Sequence, residues 1–409
     1  MPHILKWLCI STLIGVMVGT VSAGFLTSLN WVTHYRESHI WLIALLPLGG
    51  FFVGLLYHYY GKPIEGGNNL LIDTIHHPQE TIPLKLAPFA YISTLVTHFF
   101  GGSAGREGTA VQMAGAIADQ LSKPLKFNES ERKILIMAAI AAGFGSVFGT
   151  PLAGAIFGLE VALIGRLKYN AILPCFLSAV IADMVTKLWK VQHTHYHITN
   201  VPAISPINLV YCILAGLAFG LCAAFFSNAM HYTSLWFKST IAYAPLRPVV
   251  GGTIIALAVF ALGTTKYIGL GIPTIIQSFE QQLPQYDFAL KMILTIITLS
   301  AGFKGGEVTP LFFIGATLGN ALFYFIPLPI GLLAGMGFVA VFAGATNTPL
   351  ACTIMAMELF GSDCGVYVAL ACVVSYLASG HTGVYSKQII GEAKHNRYKH
   401  QEGKNLVNL

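Results

Sequence analysis

Ten apolar runs recur along this chain, and several are too short to cross a bilayer straight. They occupy 5–31, 40–60, 87–100, 134–146, 171–188, 209–226, 249–262, 289–301, 330–344 and 367–379. A full span needs about 20 residues. Short runs cut by glycine and proline are the mark of tilted or broken helices, tolerated in lipid only where the freed backbone faces protein or a cavity. Only 10% of residues are charged, against roughly 25% in soluble domains, so the chain lacks the polar surface to stay in water. The pattern predicts an all-α integral membrane protein with multiple passes.

Charge and cysteine usage narrow the class further. The formal charge of +6 is modest for this length, and Lys6 at the start and Lys394, Arg397, Lys399 and Lys404 at the end are basic. The positive-inside rule then puts both termini in the cytoplasm, in a cell membrane. The basic tail is short and mixed with acids, which gives no support to a nucleic-acid role. Seven cysteines, odd in number and mostly within apolar runs, read as buried free thiols. Lys6, an apolar run and Val21-Ser22-Ala23 imitate a secretory leader, but apolar character continues to Trp31, as in a retained first helix.

Two pairs of segments match at nearly one offset. Gly105-Arg106-Glu107-Gly108-Thr109 is echoed by Gly305-Gly306-Glu307-Val308-Thr309-Pro310, the glutamates lying 307 − 107 = 200 positions apart. Thr150-Pro151-Leu152-Ala153, with Glu160 nine residues after the proline, is echoed by Thr348-Pro349-Leu350-Ala351 with Glu358, the prolines lying 349 − 151 = 198 apart. An internal duplication follows: membrane repeats over 1–200 and 201–395, with the boundary in the polar stretch 192–206, and a polar cytoplasmic tail over 396–409. Transporters built from repeats place the substrate near the midplane where the halves meet.

The glycine-rich segments predict an anion site. The first N–H groups of a helix lack intrahelical partners and lie at the positive end of its dipole, so converging helix starts can hold a small anion without a full positive charge. Three stretches fit: 65–70, 101–109 and 302–310, with Pro310 suited to a first helical turn. Gly105, Gly108 and Val308 would contribute backbone. A glutamate beside such a site can occupy it as a carboxylate, excluding the anion, or withdraw when protonated and carry a proton. Glu107 and Glu307 are the acids so placed, and an ionisable group at membrane depth is costly unless function or pairing retains it. The competing role for both is to cap a helix start. Asn68 and Asn69 can donate amide N–H groups or cap the helix that begins near Leu70. Tyr385 can donate its phenol or anchor at the interface. Thr309 can donate its hydroxyl or cap.

Other candidates read as structural. Glu160 and Glu358 fit helix packing or an interface, and Arg106 fits a loop tie, since a fixed charge beside the path would trap an anion. His193-Thr194-His195-Tyr196-His197 alternates histidines but has no cysteine or acid nearby in sequence, so it reads as a solvated loop rather than a metal site; His76-His77 is treated alike. No cofactor is expected, and neither His-Glu-x-x-His nor Gly-x-Ser-x-Gly occurs, which argues against an intramembrane hydrolase.

Gly105-Arg106-Glu107-Gly108 resembles the gating-glutamate motif of the CLC anion channels and transporters. Gly306-Glu307-Val308-Thr309-Pro310 resembles that family's second pore motif, and Gly383-Val384-Tyr385-Ser386 its pore-tyrosine segment. The resemblance runs from about residue 5 to about 395 and implies an inverted repeat of tilted and broken helices in a homodimer, each subunit with its own pore. Four departures accompany it. Gly66-Gly67-Asn68-Asn69-Leu70 stands where ordinary members carry Gly-Ser-Gly-Ile-Pro, without the chloride-coordinating serine. Thr109 replaces a proline, Glu307 an apolar residue, and Val161, after Glu160, the acid of the inner proton route. These changes resemble the fluoride-selective branch, the CLC-F type fluoride/proton antiporters. The resemblance therefore implies a proton-coupled fluoride exporter in lipid. The alternative is a chloride-conducting channel or chloride/proton exchanger with an altered site.

Overall fold

The computed structural model describes residues 3–408. Sixteen α-helices lie among them, eight on each side of an extended linker over 189–205. The first set is α1 (His3–Ser38), α2 (Leu46–Tyr60), α3 (Asn68–His76), α4 (Leu86–Phe99), α5 (Glu107–Ala118), α6 (Glu129–Phe148), α7 (Pro151–Glu160) and α8 (Ile172–Leu188). The second is α9 (Pro206–Thr240), α10 (Leu246–Leu262), α11 (Ile272–Glu280), α12 (Asp287–Ser300), α13 (Val308–Leu322), α14 (Ile330–Thr346), α15 (Pro349–Phe360) and α16 (Gly365–Ala378). The sets match in order and length: 36 against 35 residues for α1 and α9, 9 against 9 for α3 and α11, 14 against 14 for α4 and α12. The expected duplication is thus the plan of the whole fold.

Among the described residues, four segments are long and apolar enough to cross a membrane, including Ile4–Ser38 and Pro206–Thr240. The 9-residue α3 and α11 rise only about 14 Å at 1.5 Å per residue, roughly half a hydrocarbon core. Such helices begin or end at membrane depth, and their free termini must find partners inside the protein.

The hairpins α6–α7 and α14–α15 explain one of the duplicated motifs. Each first helix ends on a left-handed residue, Gly149 (φ 73°) or Asn347 (φ 58°). Each second helix starts with proline at its first position, where a missing N–H costs nothing. α6 and α14 are nearly wholly buried; α5, α7 and α8 pack on the former, α13, α15, α16 and α9 on the latter. The Glu160 carboxylate accepts from Leu350 N (3.1 Å) and Ala351 N (2.9 Å) at the start of α15. Glu358 reciprocates on α7, accepting from Leu152 N (3.0 Å) and Ala153 N (2.8 Å). The two acids read as packing groups therefore cap helices across the repeat boundary.

Three polar stretches differ from expectation. The linker is not simply solvated: Tyr196 stacks on Phe279 (5.6 Å) and meets Phe338 edge-on (5.2 Å). The His193 side chain is only 8% exposed and lies against Gly149; aromatic neighbours made this segment dock. His195 and His197 are exposed as expected. His76 Nε2 lies 2.9 Å from the Ala162 carbonyl, tying the end of α3 to the chain after α7. The 396–408 stretch folds back rather than trailing away. Leu406 N donates to Gln388 O (3.2 Å) and Val407 N to Ser386 O (3.2 Å), beside a parallel pair of two-residue strands, β1 (Leu163–Ile164) and β2 (Ile389–Ile390).

Candidate functional site

The two repeats touch at their matching glycine turns. Gly105 N donates to Gly306 O and Gly306 N to Gly105 O, an antiparallel bridge between the two glycine turns, one position out of the register set by Glu107 and Glu307. The two turns run antiparallel where they meet. The bridge sets the starts of α5 and α13 side by side. His98, wholly buried in α4, supports the turn from behind with Nε2 3.3 Å from Gly105 O.

Glu107, the first residue of α5, turns its side chain across this bridge. It is 1% exposed. Oε2 accepts from Thr309 N (3.2 Å), Oε1 from the Thr309 hydroxyl, and the backbone N of Arg106 lies 3.1 Å from Oε2. The carboxylate thus occupies the start of α13 in the other repeat, using donors suited to a small anion. Hydrogen bonds to a charged acceptor are worth about 1.5–3 kcal/mol each, so this seat is well made. The Arg106 Nε stands 3.6 Å from Oε1; its charge faces the glutamate, and its backbone serves the loop.

Glu307, the residue before α13, meets different surroundings. Its Oε1 is buried without a hydrogen-bond partner, as is the Oδ1 of Asn68. The Tyr385 phenol and the Asn68 amide approach its carboxyl. Tyr385 is 5% exposed, so it faces the protein interior and not a lipid interface. All three line a cavity of about 290 Å³ together with Asn69 and Thr109. The Thr109 hydroxyl lies 2.6 Å from that of Thr94.

The paired asparagines separate in role. α3 begins after Gly67, whose φ of 53° suits glycine, and no side chain caps it. Asn68 points to Glu307 and Tyr385. A Cβ at Gly108 would fall 2.8 Å from Asn68 Nδ2, so the glycine is required for this approach. Asn69 instead accepts from Lys387 N (3.1 Å), fastening the α3 start to the tyrosine segment. Val308 and Thr309 open α13, and Pro310 falls in its first turn. Of the expected site residues, Glu107, Glu307, Asn68, Gly105, Gly108, Val308, Thr309 and Tyr385 cluster at the repeat junction, while the Asn69 side chain serves as a tether.

Sequence reasoning passed over His98, Thr94 and Lys304. Lys304 lines the same cavity. Its signal was present, as a base immediately before Gly305-Gly306-Glu307, but basic residues facing the path were not expected.

The family model for voltage gated chloride channels matches residues 49–380, most of the chain. The chain belongs to this CLC family. Its members are anion channels and transporters, and multi-pass membrane proteins. A "Chloride/fluoride channel protein" of Pseudomonas syringae pv. tomato is 53% identical over 403 residues, covering 97% of this chain and 89% of the relative. Among solved CLC structures, a CLC-type fluoride/proton antiporter superposes with a TM-score of 0.91 at 34% identity, covering 94% of this chain and 98% of that one. A slow cyanobacterial Cl⁻/H⁺ antiporter matches with a TM-score of 0.79 at 19% identity, covering 91% and 94% of the two chains, and shares the fold. The expected fold class, a CLC-type inverted repeat of tilted and broken helices, is the one found.

Proposed function

We propose that this chain is a proton-coupled fluoride exporter, a fluoride/proton antiporter of the cell membrane. It works as a homodimer with one pore per subunit and both termini in the cytoplasm. One observation carries the reading: the Glu107 carboxylate is seated on Thr309 N and the Thr309 hydroxyl, donors of the opposite repeat suited to an anion. As a carboxylate, Glu107 occupies the cradle. Protonation removes its charge and weakens its hold on those donors, and the neutral side chain then withdraws with its proton while the anion takes its place. Glu307 receives or passes the proton within the cavity it shares with Tyr385 and Asn68.

Donor chemistry supports fluoride as the anion. Fluoride is small, strongly hydrated and a strong hydrogen-bond acceptor, so its lost water must be replaced by good donors. The Asn68 amide, Thr309 hydroxyl, Tyr385 phenol and backbone around Gly108 and Val308 supply such groups, while the Gly105 N–H is taken by the Gly306 carbonyl. Similarity over nearly the full length to a CLC-type fluoride/proton antiporter supports the same reading.

The test is efflux from fluoride- or chloride-loaded liposomes with simultaneous external pH recording. Fluoride leaving far faster than chloride, with protons moving the opposite way, is expected; equal fluxes would overturn the selectivity. A second reading, a chloride- or fluoride-conducting channel, is favoured by the name of the Pseudomonas relative. It predicts anion current without proton movement.

A further inference from the structure

The cavity lined by Glu307, Asn68 and Tyr385 abuts a wider vestibule of about 890 Å³. Tyr57, Glu65 and Lys304 line both spaces, so they stand at the neck between them. Lys62, Lys238, Arg247 and Lys304 line the vestibule against a single carboxylate, Glu65. Four cations facing one acid create a positive potential that concentrates small anions at the entrance.

Lys304 is the member of this set at the inner end, two positions before Gly306 of the repeat bridge. Its Nζ stands 4.1 Å above the centroid of the Tyr57 ring. That ring is fixed by Phe89, edge-on at 5.7 Å. An aromatic face attracts an ammonium through its quadrupole without supplying acceptor lone pairs, so the N–H donors of Lys304 stay available to an incoming ion. Among the described residues no carboxylate forms an ion pair with Lys304, although Glu65, an opposing charge within electrostatic reach, lines the same two spaces.

We infer that Lys304 and Glu65 form a charged neck. Lys304 receives a small, hard monovalent anion from the vestibule, and Glu65 competes for the ammonium so that the ion is not held. The inference rests on the transport reading above and adds an entry step to it. A path that conducts must bind strongly enough to admit the ion and weakly enough to release it. Lys304 alone would satisfy the first condition, and the opposed carboxylate satisfies the second. The compact ammonium is itself strongly hydrated, a match for an ion that arrives with its water.

Opposite charges at the neck give opposite expectations. The measurement is initial fluoride efflux against internal fluoride concentration, using the purified full chain in liposomes. Lys304→Met raises the half-saturating fluoride concentration by about tenfold, more than it lowers the maximal rate, and weakens the dependence on ionic strength. Lys304→Arg restores most of the wild-type value, because the charge is kept. Glu65→Gln lowers the half-saturating concentration several-fold. Should Lys304→Met fail to fold, Glu65→Gln decides alone. An unchanged or raised half-saturation in Glu65→Gln, or a Lys304→Met effect confined to the maximal rate, overturns the neck while leaving the transport reading intact. A wild-type protein that passes no fluoride overturns both.

Discussion

Glu107 and Glu307 stand at equivalent helix starts, of α5 and of α13, yet their carboxylates meet opposite surroundings. Glu107 is nearly sealed and accepts from both the amide and the hydroxyl of Thr309 in the other repeat. Glu307 keeps one oxygen buried without a partner, beside Asn68 and Tyr385. Glu160 and Glu358, by contrast, still perform one task twice, each capping the other repeat's hairpin helix with two N–H bonds. Duplication supplied both pairs. The packing pair stayed symmetric because each member stabilises the same joint, while the junction pair divided into an occupant and a neighbour.

The sharpest way to break this contrast is to remove the charge of the occupant. Glu107→Gln keeps the shape but cannot carry a proton, so proton-linked fluoride efflux falls by about a hundredfold or more. Glu307→Gln leaves the seat of Glu107 intact and lowers exchange by about tenfold; equal losses in both variants, measured by paired ion and pH electrodes, would erase the distinction between them. Thr309→Val deletes the hydroxyl donor to Glu107 and raises half-saturating fluoride about tenfold, as expected for one hydrogen bond to a charged acceptor.

Gly108→Ala sharpens the contrast from the Asn68 side. The added methyl would stand 2.8 Å from Asn68 Nδ2, displacing the amide and weakening fluoride binding several-fold with little loss of stability. The smallest effect on transport belongs to the symmetric pair. Glu160→Gln and Glu358→Gln each lower stability by about 1–2 kcal/mol, read by thermal unfolding in detergent, with ion-to-proton coupling unchanged. A large difference between these two would contradict their equivalence.

The long elements were legible because hydropathy writes them plainly: the runs 171–188, 249–262 and 330–344 lie within or overlap α8, α10 and α14. The short α3 and α11 were not among the apolar runs, because a half-crossing helix buried between neighbours needs no continuous apolar stretch. Glycine turns and their glutamates marked the junction, since close backbone approach leaves a signature of residue type. Direction did not show. Asn68 and Asn69 are the same residue side by side, and only their position at the start of α3 decides that one faces Tyr385 and the other Lys387. The burial of His193 and the folding back of the chain after 396 depend on contacts far away in sequence, which local polarity conceals.

The Gly105–Gly306 bridge carries a mechanical consequence. Backbone hydrogen bonds stitch the halves together at their glycine turns, and the Glu160 and Glu358 caps clamp them again at the hairpins. Repeats fastened at these points resist rocking against each other as rigid bodies, the motion by which many repeat transporters expose the centre to alternate sides. For the antiport proposed above, a side chain rotating about its own Cα–Cβ bond is a far lighter switch of access than a domain.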